Sequence, residues 1–338
     1  MNKKSVYIAY TGGTIGMQKS PQGFVPVPGF LESELRRFPE FQHDDMPDYM
    51  IREFDPVLDS ANMTPEDWGF IAADIEANYD RFDGFVILHG TDTMAYTASA
   101  LSFMLEDLHK PVILTGSQIP VGELRSDARD NLIGALYLAA HVPIPEVCLY
   151  FHNRLLRGNR SRKVDASGFD AFDSPNYPEL VRMGTEIQIR RELLLKQPEK
   201  PMSIRRIDPP MVGTLSLFPG INADVVRQFL AHPVQGLVLQ TYGMGNAPSR
   251  DKALLAVLRE ACARGAVIVN VTQCPRGRVD MGGYETGNAL QDCGVVSGHD
   301  MTTEAALAKL FYLFSLGLPP EEIRRLMPHN LRGELTPR

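Results

Sequence analysis

Cysteine is scarce in this chain. The four residues in 338, Cys148, Cys262, Cys274 and Cys293, have neither metal-type nor redox-type spacing, and they read as reduced, mostly buried thiols rather than as a disulfide framework. Long apolar runs are missing too, so no segment has the length needed to span a bilayer. The opening Met1-Asn2-Lys3-Lys4 leads straight into a strand-like segment, without the apolar stretch or small-residue cleavage site of a secretion signal, and a cytoplasmic location is expected. Blocks of like charge are also absent. A net charge of −7 spread along the sequence argues against nucleic acid or an anionic membrane as partner, and for a small molecule.

What is there is the composition of an ordinary globular protein, 44% hydrophobic and 22% charged, in a chain longer than the usual single domain. Apolar strand-length runs alternate with helix-period segments, the pattern of βαβ crossovers in a mostly parallel sheet. The run Gly84-Phe85-Val86-Ile87-Leu88 is the centre of this arrangement. It breaks at His89-Gly90 into Thr91-Asp92-Thr93, and a helix is expected from Met94 to about Leu108. A similar unit opens the chain, where Val6 to Tyr10 delivers Thr14 out of the Gly12-Gly13 turn, and Pro111 to Thr115 repeats the pattern at Gly116-Ser117-Gln118 before a helix expected from Arg125 to Ala140. The segment Met17 to Gly29, dense in proline and glycine, reads as a loop long enough to be a lid. Thr64 and Pro65 mark a helix start, which places Asp59 and Ser60 just before it, where turn or cap chemistry is the plainer use of both. Charge and proline concentrate while periodicity fades around Arg190 to Pro210. This gives an N-terminal catalytic α/β domain over residues 1–190, a linker over 191–212 and a smaller C-terminal α/β domain over 213–338.

In an open parallel sheet, ligands sit at the carboxyl ends of the strands, where Thr14, Thr91 and Asp92 are expected. A threonine hydroxyl is a poor nucleophile and needs a proton acceptor and a place for the developing oxyanion, which backbone N–H groups of glycine turns can provide. No histidine has the spacing of a partner, and His89 reads as a strand-end residue facing the sheet. The basic stretch Asn153 to Lys163 is a solvated loop in its plain reading. In its sharper reading it supplies one positioned cation beside Asp92, and Lys163 is the candidate.

The stretches Ile8 to Gly16 and Gly84 to Met94 resemble the two signature motifs of the bacterial-type L-asparaginases. The likeness continues through Asp59-Ser60, Thr115 to Gln118, Asn159-Arg160 with Lys163, Tyr242 to Asn246 and Ser297 to Ala305, nearly the whole chain, and the cytoplasmic type I enzyme is the most similar kind. The resemblance implies a two-domain α/β fold and hydrolysis of L-asparagine to L-aspartate and ammonia without metal or cofactor. It implies Thr14 as nucleophile and a triad of Thr91, Lys163 and Asp92. Asp59 and Ser60, with Asp92, would hold the α-carboxylate and α-ammonium, and Asn246 would reach the site from a neighbouring subunit of a homodimer or homotetramer. One position departs. Where many relatives carry a lid tyrosine that hydrogen-bonds the nucleophile, this chain has Phe24, so either another group orients Thr14 or the lid works by excluding water. The competing readings are a glutaminase-asparaginase, the amidase half of a tRNA-dependent amidotransferase, which the short stretch after the last expected helix disfavours, and a non-catalytic small-ligand sensor using the glycine turns as an anion nest.

Overall fold

The computed structural model describes residues 3–21, 23–208, 210–231, 233–282 and 285–337, with only the backbone of Glu285 and Thr286. Met1, Asn2, Gln22 of the expected lid, Pro209 of the proline-rich stretch and Arg338 lie outside them. The chain divides into two compact units between Arg205 and Arg206.

The first unit runs β1 (Ser5–Gly12), β2 (Met17–Ser20), β3 (Gly23–Pro26), α1 (Phe30–Leu35), β4 (Asp48–Leu58), α2 (Pro65–Asn78), β5 (Gly84–Leu88), α3 (Met94–Met104), β6 (Leu105–Glu106), β7 (Val112–Thr115) and α4 (Ala128–His141). It continues through β8 (Val147–Phe151), β9 (Arg154–Arg157), β10 (Arg162–Lys163), β11 (Phe172–Asp173), β12 (Val181–Met183), β13 (Ile187–Ile189) and β14 (Ser203–Ile204). An eight-stranded sheet has the order β4-β1-β5-β7-β8-β9-β12-β13. From β4 to β8 the neighbours are parallel, and β9, β12 and β13 add on antiparallel.

Both faces of the parallel part are covered, which is why its strands read as unbroken apolar runs. Val6, Ile8, Val86, Leu88 and Ile113 join Leu132, Ala135 and Leu136 of α4 in one core. The alternate residues Tyr7 and Phe85 meet Phe82 and Tyr79, which follow α2. Each such buried aliphatic side chain contributes about 1.5–3 kcal/mol. Because β1, β4, β5 and β7 are parallel and in register, with Gly12 beside Leu58, Tyr10 beside Leu88 and Leu88 beside Thr115, the turns that follow them all leave at one edge.

Several segments differ from expectation, each because a remote partner takes over the backbone. The helix after Thr93 stops at Met104, since Leu105 and Glu106 pair with Ile204 and Ser203. Arg205 N–H also bonds Met104 O, so part of the stretch read as a linker belongs to the first unit. The next helix begins at Ala128, not Arg125, because Arg125 has φ 64° and the Asp127 carboxylate is bound by the backbone N–H groups of Gln118 and Ile119. The lid segment is a hairpin, β2 against β3, rather than a loop. The basic stretch is not a solvated loop either. Leu155 and Leu156 of β9 are fully buried, and the Arg157 guanidinium donates to Glu146 at 2.5 Å in the interior.

The second unit has four parallel strands, β15 (Val212–Ser216), β16 (Gly236–Thr241), β17 (Val267–Thr272) and β18 (Val296–Ser297). They are interleaved with α5 (Ala223–Phe229), α6 (Lys252–Ala263) and α7 (Glu285–Gln291), and followed by α8 (Thr303–Ser315) and α9 (Pro320–Leu326). Thr302 caps α8 by accepting from Ala305 N–H at 3.1 Å, and Gly317, at φ 68°, stops it. The mixed α/β fold with a larger, mostly parallel sheet and a smaller parallel one is the class expected. No described helix is long and apolar enough to cross a membrane, and all four cysteines are free.

Candidate active site

Four turns meet at the carboxyl edge of the first sheet. The end of β1 is tied to β5 by Thr11 Oγ1 donating to Leu88 O at 2.9 Å. Gly13 holds φ 90°, and a Cβ there would lie 2.5 Å from the backbone nitrogen of Gly90, so the two glycine turns touch backbone to backbone. Gly90 is closed on its other side, since a Cβ would lie 2.3 Å from Ser60 Oγ. Thr93 Oγ1 completes the joint by donating to Ser60 O at 2.8 Å. Thr14, Ser60 and Thr91 thus sit on three turns packed against one another, with Thr14 opening a short 3₁₀ turn, Thr14–Gly16, and partly exposed.

Lys163 enters from β10, held by its pairing with Phe172 of β11. Its ammonium donates to Asp92 Oδ1 at 2.7 Å and to Thr91 Oγ1 at 2.9 Å. Thr91 is buried and Lys163 mostly covered, whereas the Asp92 side chain is 65% exposed, so the pair faces solvent on its acid side. The Thr91 hydroxyl in turn donates to Gln118 Oε1 at 3.3 Å, and Gln118 Nε2 donates to Gly168 O at 3.0 Å. A cleft of about 450 Å3 lies beside Gln118, bounded by Arg125 and Ser167 to Phe169. The Asp59 carboxylate accepts from Ala61 N–H at 3.1 Å and from Asn62 Nδ2 at 3.0 Å, which caps the turn and leaves lone pairs for a ligand.

Of the residues singled out from sequence, Thr91, Asp92 and Lys163 are joined by direct hydrogen bonds, and Thr14, Asp59 and Ser60 lie on adjoining turns. Asn246 is in the second unit, in a tight turn closed by Asn246 N–H to Tyr242 O at 2.8 Å. Phe24 lies on β3 opposite Lys19, nearly half exposed, and β3 runs beside the Thr14–Gly16 turn. His89 is buried at the strand end, as expected, and burial pushes its pKa down to about 4, so its ring is neutral near pH 7. Gln118 and Thr93 were given no role from sequence. The signal for both was their position after a strand at the same edge. Among the described residues no group of three or more His, Cys, Asp or Glu side chains is placed to hold a metal ion.

Residues 5–195 match the family model described as "Asparaginase, N-terminal", and residues 211–327 match "Glutaminase/Asparaginase C-terminal domain". The chain belongs to the asparaginase family. It is 59% identical to L-asparaginase 1 of Escherichia coli K12, an alignment that covers 100% of this chain and 99% of that one. Among solved structures it resembles L-asparaginase I from Vibrio cholerae with a TM-score of 0.93 at 54% identity, covering 99% of each chain. The thermostable L-asparaginase from Thermococcus kodakarensis is similar over 99% of this chain and 100% of that one, with a TM-score of 0.90 at 35% identity. Membership in the asparaginase family therefore spans both units.

Proposed function

We propose that this asparaginase-family chain hydrolyses L-asparagine to L-aspartate and ammonia, as a cytoplasmic homo-oligomer needing neither metal nor cofactor. The full-length 59% identity to an L-asparaginase carries the reading, and the bonds from Lys163 to Thr91 and Asp92 support the choice of site. Thr14 attacks the side-chain amide carbon, the nitrogen takes up a proton and leaves as ammonia, and water then cleaves the β-aspartyl ester left on Thr14. The attacking oxygen must lose its proton in each half-reaction. An ammonium has no acceptor site, so Lys163 must pass on a proton before it takes one through Thr91, while Asp92 keeps it in place. Such a relay is suited to either half-reaction. Asp59 and Ser60 hold the α-carboxylate and α-ammonium, Asp92 adds to the ammonium, and Asn246 comes from a neighbouring subunit.

The description of the C-terminal family model also names glutaminase, and this favours glutamine as the second amide to try. A clamp on the α-carbon groups displaces the amide of glutamine by one methylene, and a misplacement of about 1 Å can cost roughly 10²-fold. Ammonia release by the purified chain from each amide tests both readings. Release from asparagine with glutamine far slower is expected. Equal kcat/KM would make the chain a glutaminase-asparaginase, and binding without release would make it a sensor.

A further inference from the structure

The only tryptophan of the chain, Trp68 on α2, is buried with its indole N–H donating to Thr97 Oγ1 on α3 at 3.1 Å. Thr97 Oγ1 lies 2.8 Å from His89 Nε2, and His89 Nδ1 lies 2.7 Å from Gly90 O. Thr97 is 0% exposed and His89 1% exposed, so water competes at neither. An indole N–H only donates and takes a lone pair of the threonine oxygen, so the hydroxyl proton goes to His89 Nε2 or to the Met63 sulfur. Gly90 O only accepts, so Nδ1 must carry the ring proton. Burial keeps the ring neutral, which leaves Nε2 as an acceptor, and a ring nitrogen is a stronger acceptor for the Thr97 hydroxyl than a thioether sulfur.

We propose that the relay Trp68–Thr97–His89 is a positioning device for the catalytic turn, with His89 acting through the Gly90 carbonyl rather than as an acid or base. The peptide unit is planar and trans, so fixing the Gly90 C=O toward His89 fixes the Thr91 N–H on the opposite side and sets the direction in which the Thr91 side chain leaves the backbone. The turn carrying Ser60 is held by the same junction. Met63, just beyond Ser60–Asn62, places its sulfur 3.0 Å from His89 Nε2 and 3.2 Å from Thr97 Oγ1. The relay thus fixes both the Thr91 hydroxyl that Lys163 binds and the Ser60 turn. Thr97 and His89 are buried, and their side chains bond Trp68, Met63, the Gly90 carbonyl and each other rather than Thr14, Thr91 or Lys163, so the effect is geometric.

This inference rests on the proposed asparagine hydrolysis, and its test has an arm that does not. The ¹⁵N spectrum of the His89 ring in the intact protein is expected to show the tautomer protonated at Nδ1; a ring protonated at Nε2 would overturn the relay whatever the activity. Asparagine turnover by the wild type comes next, and its absence would sink the functional reading while leaving the tautomer result standing. In the active protein, Thr97→Val removes the hydroxyl at nearly constant volume. It is expected to lower kcat on the order of tenfold, with KM raised by a smaller factor through the Ser60 turn and far-UV circular dichroism unchanged. Thr97→Ser, which restores a hydroxyl, is expected to recover most of the loss. Equal kcat in Thr97→Val and Thr97→Ser would overturn the proposal. Should Thr97→Val fail to fold, His89→Asn, whose amide can donate near the Nδ1 position, is expected to turn over faster than His89→Gln, and the reverse order would overturn it too.

Discussion

At the scale of single residues the proposed chemistry depends on hydroxyls that contribute little to the fold. Thr14 is partly exposed, and among the described residues its side chain makes no hydrogen bond and the Thr91 hydroxyl bonds only Lys163 and Gln118. Thr14→Ala and Thr91→Val should therefore fold normally, as judged by circular dichroism and thermal unfolding. Each should lose activity on the order of 10³-fold in kcat, because removal of a nucleophile or its relay partner is not made up elsewhere. Near-normal turnover in either variant would remove that residue from its role. Phe24 permits the opposite kind of change. Phe24 sits on β3, the strand that runs beside the Thr14–Gly16 turn, and its ring has no hydroxyl, so Phe24→Tyr is expected to raise kcat if a phenol from this hairpin can reach Thr14. One hydrogen bond made in the transition state is worth about 1–3 kcal/mol, or roughly tenfold to a hundredfold. An unchanged kcat would mean that Phe24 is not at the position of the lid tyrosine, that another group already orients Thr14, or that the hairpin acts by excluding water alone. The reactive residues were legible because each stands at a strand-to-turn break with unusual chemistry. Thr97 and Trp68 were not, since a threonine and a tryptophan inside helical periodicity look like core until their partners are known.

At the scale of elements, the edge where the parallel strands end brings the turns together, and glycine sets how closely they approach. The glycine at position 13 is needed twice over, for φ 90° and for the backbone of Gly90 lying where its Cβ would be. Backbone cannot step aside as a side chain can. Gly13→Ala is therefore expected to destabilise the fold by about 1–3 kcal/mol in urea unfolding and to reduce kcat as well, by pushing Thr14 and Thr91 apart. A variant as stable and active as the wild type would show that the two turns do not need this contact. The strands β1, β5, β7 and β8 could be read from sequence because covering on both faces imposes unbroken apolar runs. The hairpin of β2 and β3, the short pair β6 and β14, and the buried β9 could not. In β9 the apolar residues are Leu155 and Leu156 only, flanked by arginines whose burial depends on distant carboxylates: Glu146 for Arg157, and Glu179 and Asp173 for Arg154. A local pattern of charges gives no sign of such partners.

At the scale of the whole molecule, the proposed machinery is divided between the two units. Thr14, Thr91, Asp92 and Lys163 belong to the first and Asn246 to the second, where the turn Tyr242 to Asn246 holds it on a short backbone loop. If Asn246 serves the site of another copy, the active site is composite and activity belongs to the oligomer. Complementation distinguishes this from action within one chain. Thr14→Ala and Asn246→Ala chains, each nearly inactive alone, are unfolded together and refolded as a 1:1 mixture. In a twofold dimer each mixed pair contains one site with both defects and one with neither. Half of the dimers are mixed, so the mixture is expected to recover roughly a quarter of wild-type activity. If Asn246 acts within its own chain, every site in the mixture carries one defect and no activity returns. Ammonia release from asparagine by the refolded mixture, set beside the two variants refolded separately, decides between them. Full activity of Asn246→Ala alone would remove the residue from the site altogether.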